Sequence, residues 1–149
     1  MSQFIFVIMG LFSLSACDSS KIKEAAIDSA QKQFGVQIRA EMDDSGVAKH
    51  ELAEQYYSFI IGHTEYEVLE VDKKSSDLAM VKLSMETIPK EFRSDLSSVV
   101  VKLQGISTTR FNMGEAILLI KKHYGAKFDT QVTQKFIQVN KKDDLWVGE

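Results

Sequence analysis

The chain has 149 residues, 44% hydrophobic and 26% charged, enough for one domain with one core and a balance that excludes both a disordered chain and a membrane-spanning one. A formal net charge of −3 argues against a nucleic-acid binder, and a solitary cysteine, Cys17, excludes an intrachain disulfide. The charge is uneven: residues 17–70 carry five Lys/Arg against eleven Asp/Glu, and residues 71–149 thirteen against ten, the pattern of two differently solvated faces or of a polar docking surface.

Phe4-Ile5-Phe6-Val7-Ile8-Met9-Gly10-Leu11-Phe12-Ser13-Leu14 is nearly continuous in apolar character. It is shorter than the roughly 20 residues a transmembrane helix needs, and its length suits the h-region of a signal peptide. Leu14-Ser15-Ala16-Cys17 follows directly, with polar Asp18-Ser19-Ser20 behind it. This run resembles the lipobox of bacterial lipoproteins, in which a branched apolar residue and two small residues precede the cysteine. The resemblance implies a signal peptide over 1–16, a mature domain over 17–149 with a short tether at 17–20, a diacylglycerol on the Cys17 thiol and acylation of its freed amine. Asp18 resembles the inner-membrane retention residue of enterobacterial lipoproteins. The departure from the pattern is Met1-Ser2-Gln3, which carries no Lys or Arg. The alternative is an ordinary signal peptide cleaved near Ala16, leaving a free thiol. One acyl chain holds a protein to a membrane only marginally and two or more hold it stably, so a lipidated Cys17 is a durable anchor facing the periplasm or exterior.

Ser19 and Ser20 can cap a helix, and Ile22, Ala25, Ala26, Ala30 and Phe34 recur at helical spacing, predicting a helix over 20–34 that ends at Gly35. Val36–Met42 is ambiguous and 43–46 is a turn. Val47–Ile61 reads as a second helix. A hairpin follows: strand Thr64–Asp72, polar loop Lys73–Ser76, return strand Asp77–Thr87 with Ala79, Val81, Leu83 and Met85 on one face. In the first strand Tyr66 and Val68 point one way, and Leu69 and Val71 the other, the mark of a bulge or of burial on both faces. Pro89 suits the first turn of a helix whose stripe is Phe92, Leu96, Val99, Val100 and Leu103, ended by Gly105. After Ser107-Thr108-Thr109 comes another stripe, Met113, Ala116, Ile117, Ile120 and Tyr124, with Lys121, Lys122 and His123 in its last turn as the helix dipole favours, before Gly125. Val132–Asn140 and Leu145-Trp146-Val147 are strands about a turn at 141–144. The order αα-ββ-αα-ββ predicts an α+β fold, an antiparallel sheet packed on helices.

The hairpin from Tyr66-Glu67-Val68-Leu69-Glu70-Val71 to Ala79-Met80-Val81-Lys82-Leu83, with the ending Lys141-Lys142-Asp143-Asp144-Leu145-Trp146-Val147, resembles small bacterial lipoproteins of the cystatin-like and nuclear-transport-factor-2-like fold. The resemblance covers about half of residues 17–149. It implies a curved sheet around a helix, often with a cone-shaped concavity. The family turn often has Gly where this chain has Asp144, and Asp tolerates left-handed backbone.

Candidate chemistry is sparse. His50 and Glu54, four apart on the second helix, could share a metal-binding face, and His63, Glu65 and Glu67 could share one side of a strand, but neither set reaches a full ligand count. His123 reads as a helix-end cation and Trp146 as a core residue. Tyr56, Tyr57 and Tyr66 could serve as the donor of a lyase or isomerase of the related fold, without a matching Asp. No metal or cofactor is implied, only the covalent lipid. The expected partners are the membrane, through Cys17, and another envelope protein. The alternative is a small apolar ligand in the sheet's concavity.

Overall fold

The structure, a computed structural model, describes residues 11–102, 113–124 and 130–149. The expectations at Leu103, Gly105, Ser107-Thr108-Thr109 and Gly125, and the segment 1–10, lie outside the described residues, as do the side chains of Leu14, Ser15 and Ala16 and of the stripe Met113, Ala116, Ile117, Ile120 and Tyr124. In chain order the elements are α1 (Leu11–Ser45), a 3-10 turn (Val47–Lys49), α2 (Ala53–Gly62), β1 (Glu65–Lys73), β2 (Leu78–Thr87), α3 (Lys90–Lys102), α4 (Met113–Tyr124), β3 (Gln131–Lys142) and β4 (Leu145–Gly148). The class is α+β, with one antiparallel four-stranded sheet in the order β1-β2-β3-β4. The sheet is not strongly curled.

α1 runs through Gly35, where the sequence predicts an end. Ile22, Ala26, Ala30, Phe34, Ile38 and Met42 form an unbroken row at intervals of four, each at most 1% exposed. A mid-helix glycine costs about 0.5–1 kcal/mol relative to alanine, whereas burying a side chain such as Ile38 or Met42 returns about 1.5–3 kcal/mol, so burial carries the helix on. It stops at Gly46, whose φ of 82° only glycine adopts without strain. The second helix starts later than its pattern suggests. His50 is extended (φ −88°, ψ 148°), which separates the Val47–Lys49 turn from α2.

The described residues fall into two compact units. The first comprises those up to Gln31 with Glu67–Ser84 and Gln134–Glu149, the second those of Lys32–Tyr66 and Met85–Thr133. In the first, Ile22, Ala26 and Ala30 of α1 are buried, as are Ala79, Val81 and Leu83 of β2, Ile137 and Val139 of β3, and Trp146 of β4. β2 alternates strictly between buried and half-buried residues, as its sequence predicts. β1 does not: Tyr66, Val68 and Val71 are half-buried, a step of three after a step of two. At Gly148 the backbone of β4 closes on α1, where a Cβ would lie 2.5 Å from Ser29 Cβ and 2.7 Å from the Ala25 carbonyl oxygen.

β3 and β4 pair with Lys142 opposite Leu145, leaving Asp143 and Asp144 as a two-residue loop with φ of 50° and 63°. Two left-handed residues in a two-residue hairpin are a type I′ turn, whose second position favours glycine. Asp144→Gly is therefore expected to stabilise the protein by about 0.5–1 kcal/mol, read as a higher urea midpoint at unchanged slope. The Lys141–Asp144 ion pair lost with it is long, at 3.7 Å, and Asp144 is 99% exposed, so it subtracts little.

In the second unit Phe34, Ile38 and Met42 pack with Val47, Tyr56 and Ile60 and with Ile88, Phe92, Leu96 and Val100. The Pro89 carbonyl accepts the Arg93 N–H at 3.0 Å, the first hydrogen bond of α3. The predicted stripe of α3 is buried at Phe92, Leu96 and Val100 and packed at its edge at Val99. α3 packs against α4.

Candidate functional site

Cys17 is exposed, and residues 17–20 lie within α1. The next residue is held on both oxygens: Asp18 Oδ1 accepts the Trp146 indole N–H at 3.1 Å and Oδ2 accepts the Lys73 ammonium at 3.0 Å. The Trp146 hydrogen bond first, and Lys73 second, hold the Asp18 carboxyl below its ordinary range. Trp146 is 7% exposed, so the expected core residue also finds a partner for its one polar atom. Lys73 Nζ lies 5.7 Å from the Trp146 ring centroid. The contact joins residues 128 apart, and no local pattern announces it.

In the second unit a charged pair stands where the α3 stripe predicts only apolar residues. Arg93 is 3% exposed. Its Nε and one terminal nitrogen donate to the two Glu41 oxygens at 2.8 and 2.7 Å, and its other terminal nitrogen donates to the Ile88 carbonyl at 2.6 Å. Tyr56 Oη donates to the Arg93 carbonyl at 3.0 Å. Burial pushes the Tyr56 phenol up to about 12. Burial also raises the Glu41 carboxyl, but hydrogen bonds from Arg93 and Gln37 outweigh it and leave the group below its ordinary value. A cleft of about 300 Å³ opens here, lined by Glu41, Asp44, Ser45, Tyr56, Lys90, Arg93, Ser94 and Ser97. The sequence reading missed Arg93 and Glu41. The available signal was the position of Arg93, between Phe92 and Leu96 on a face whose other members are buried.

The remaining candidates are distributed otherwise than the sequence suggests. His50 precedes α2 and does not share a helix face with Glu54, because its extended backbone ends the preceding turn. It is 8% exposed, and its Nδ1 accepts the Leu52 N–H at 3.1 Å. Glu54 is gripped by Arg39 at 2.7 and 2.9 Å, and the Arg39 guanidinium lies 3.7 Å from the Tyr57 ring centroid. His63 caps the C-terminus of α2 rather than lying in β1. Its Nδ1 is 2.8 Å from the Phe59 carbonyl and its ring 4.2 Å from the Phe59 ring. A second cleft, of about 250 Å³, gathers His63, Glu65, Glu86, Lys121 and Thr130 with Phe59, Gly62 and Ile88. Glu86 accepts the Thr130 hydroxyl. Glu67 is exposed on β1, and His123 stands in the last turn of α4. Burial raises the Tyr66 phenol to about 12. Among the described residues no group of three His, Cys, Asp or Glu could hold a metal ion, and no helix is long and apolar enough to cross a membrane. No protein-family profile, no curated protein and no solved structure matches the chain.

Proposed function

We propose that the chain is a bacterial lipoprotein, anchored through Cys17, whose domain is a non-catalytic extracytoplasmic module that binds another envelope protein. The observation that carries this reading is the run Leu14-Ser15-Ala16-Cys17, set directly behind an apolar segment and containing the only cysteine of the chain. The exposure of Cys17 is compatible with a lipid on its sulfur. On this reading the chain faces the periplasm or the exterior, and Asp18 favours retention at the inner membrane. Within the α+β class we place the domain nearest the cystatin-like or nuclear-transport-factor-2-like fold, on its element order and its lysine turn before Trp146. The sheet, not strongly curled, is the feature that fits least.

Binding of a protein is preferred to carriage of an apolar ligand because of what lines the open space. The apolar inner residues of β2 and β3 (Ala79, Val81, Leu83, Ile137 and Val139) are at most 2% exposed. The larger of the two clefts described above is lined entirely by polar and charged side chains and Tyr56. For an enzyme, the Tyr56 hydroxyl is committed to a backbone carbonyl, which leaves it a poor proton donor.

Mass spectrometry of the protein from native membranes tests the anchor. The expected mass is that of residues 17–149 plus a diacylglyceryl group and an N-acyl chain, and Cys17→Ser is expected to leave the protein unlipidated and uncleaved, with the mass of the chain that still carries residues 1–16. An unmodified thiol or a retained Met1 overturns the anchor. Affinity isolation from detergent-solubilised envelope that recovers no specific partner counts against the interaction module.

A further inference from the structure

We propose that Asp18 is a clamp that fixes the lipid-bearing end of α1 to the sheet, so that the end of the first unit carrying Lys73 and Leu145 lies against lipid headgroups. The inference rests on the anchor reading and adds an orientation to it. Asp18 follows Cys17 by one residue, about 3.8 Å along the chain, and both its oxygens are bound by the sheet, from Lys73 at the end of β1 and Trp146 in β4. Two loops meet at this end. The Asp77 carbonyl before β2 accepts the Lys141 N–H at 2.8 Å, beside the turn that joins β3 to β4. Leu145, the first residue after that turn, is 66% exposed. A lipid on Cys17 cannot enter a bilayer without bringing Asp18, and whatever grips Asp18, to the headgroup layer. The occupant of this surface is therefore the membrane itself.

The clamp replaces a tether. The next buried residue of α1 is Ile22, so without the Asp18 contacts no buried side chain holds the turn of α1 between Cys17 and Ile22 to the sheet, and that turn is left to fray as an unheld helix end does. The surface has no net basic character. Lys73 pairs with Asp18, Lys74 with Asp72, Lys141 with Asp144 and Lys142 with Glu149. Contact with headgroups follows from the anchor and the clamp, and anionic lipid is not required.

Trp146 is the only tryptophan of the chain and belongs to the clamp, so its fluorescence reads the contact. The full chain, processed in its native membrane and purified in detergent, is reconstituted into phosphatidylcholine vesicles, with or without bromine on acyl carbons near the headgroup. Its mass is measured in parallel. The expected result is strong quenching of Trp146 by the brominated lipid, unchanged when phosphatidylglycerol is added. Asp18→Ala is expected to reduce the quenching several-fold at unchanged far-ultraviolet circular dichroism. Asp18→Asn keeps an oxygen for the indole N–H and is expected to retain most of it. A lipidated chain whose Trp146 is not quenched, or an Asp18→Ala variant quenched like the parent, overturns the clamp and leaves the anchor standing. A chain with an unmodified Cys17 overturns both.

Discussion

Glu41→Ala is expected to cost about 2–3 kcal/mol of stability, less than the roughly 3–5 kcal/mol for one member of a fully buried ion pair, because the Glu41 side chain is 23% exposed at the cleft. The loss is that large because of what remains. Arg93 keeps its charge at 3% exposure with only the Ile88 carbonyl to receive it. Urea unfolding checks this as a lower midpoint at unchanged slope. The double variant Glu41→Leu/Arg93→Met is expected to lose less than Glu41→Ala alone, since replacing both partners by apolar groups leaves no stranded charge. A double variant less stable than either single one overturns this account. The pair also sets an acid limit. Glu41 is held below its ordinary 4.5 in the folded state, so its contribution is complete above that value and is lost as pH falls through the lower folded value. Asp18, Glu54 and Glu149 are shifted the same way. In Glu41→Ala the fall in stability below pH 4.5 is therefore expected to be shallower but not abolished. At the alkaline end the sign reverses. Tyr56 is neutral in the folded protein up to about 12, so its contribution is complete below pH 10 and is lost between there and about 12.

Gly148→Ala is expected to cost about 3 kcal/mol, the upper end for inserting a methyl group into packed space. The new carbon meets the Ala25 carbonyl oxygen at 2.7 Å and Ser29 Cβ at 2.5 Å, and neither can swing aside as the tip of a long side chain would. Relief requires β4 to move away from α1, and Trp146 lies two residues away on that strand. A change in tryptophan emission is expected to accompany the loss of stability. Gly62→Ala is the control: nothing lies within 4 Å of its added carbon, and stability should be near that of the parent.

The parts of the fold legible in the sequence are those whose periodicity matches their burial. β2 alternates in sequence and in exposure, and Phe92, Leu96 and Val100 of the α3 stripe are buried. The turn at Asp143 and Asp144 was readable because few residues accept left-handed backbone. α1 was only half legible. Its buried row steps by four, and at 3.6 residues per turn such a row rotates roughly 40° at each step, so Ile38 and Met42 leave the face that Ile22 and Ala26 define. Gly35 then looked like an end, although the row passes it. The site contacts were legible least. Asp18 with Trp146, and Glu41 with Arg93, join residues 128 and 52 apart, and charge complementarity at such distance has no periodicity to read. His50 and Glu54 illustrate the opposite error: a spacing of four signals a shared face only where the backbone is helical throughout, and at His50 it is extended.

α1 takes in Leu11 to Cys17, so the Ala16–Cys17 bond and residues 11–16 ahead of it are helical in the folded chain. A peptidase that takes its substrate extended cannot act on that form. Helices of about 20 residues form in roughly 0.1–1 μs, far faster than an enzyme encounter, so once the chain is free to fold the helix wins the competition. On the anchored reading, the thiol must then be modified and the bond cut while export still holds the chain extended. If Cys17 is the lipidation site we propose, its maturation is a matter of timing: a chain that completes α1 before it meets the processing enzymes is a poor substrate for them, and slowed export or premature folding would appear as accumulation of the uncleaved form.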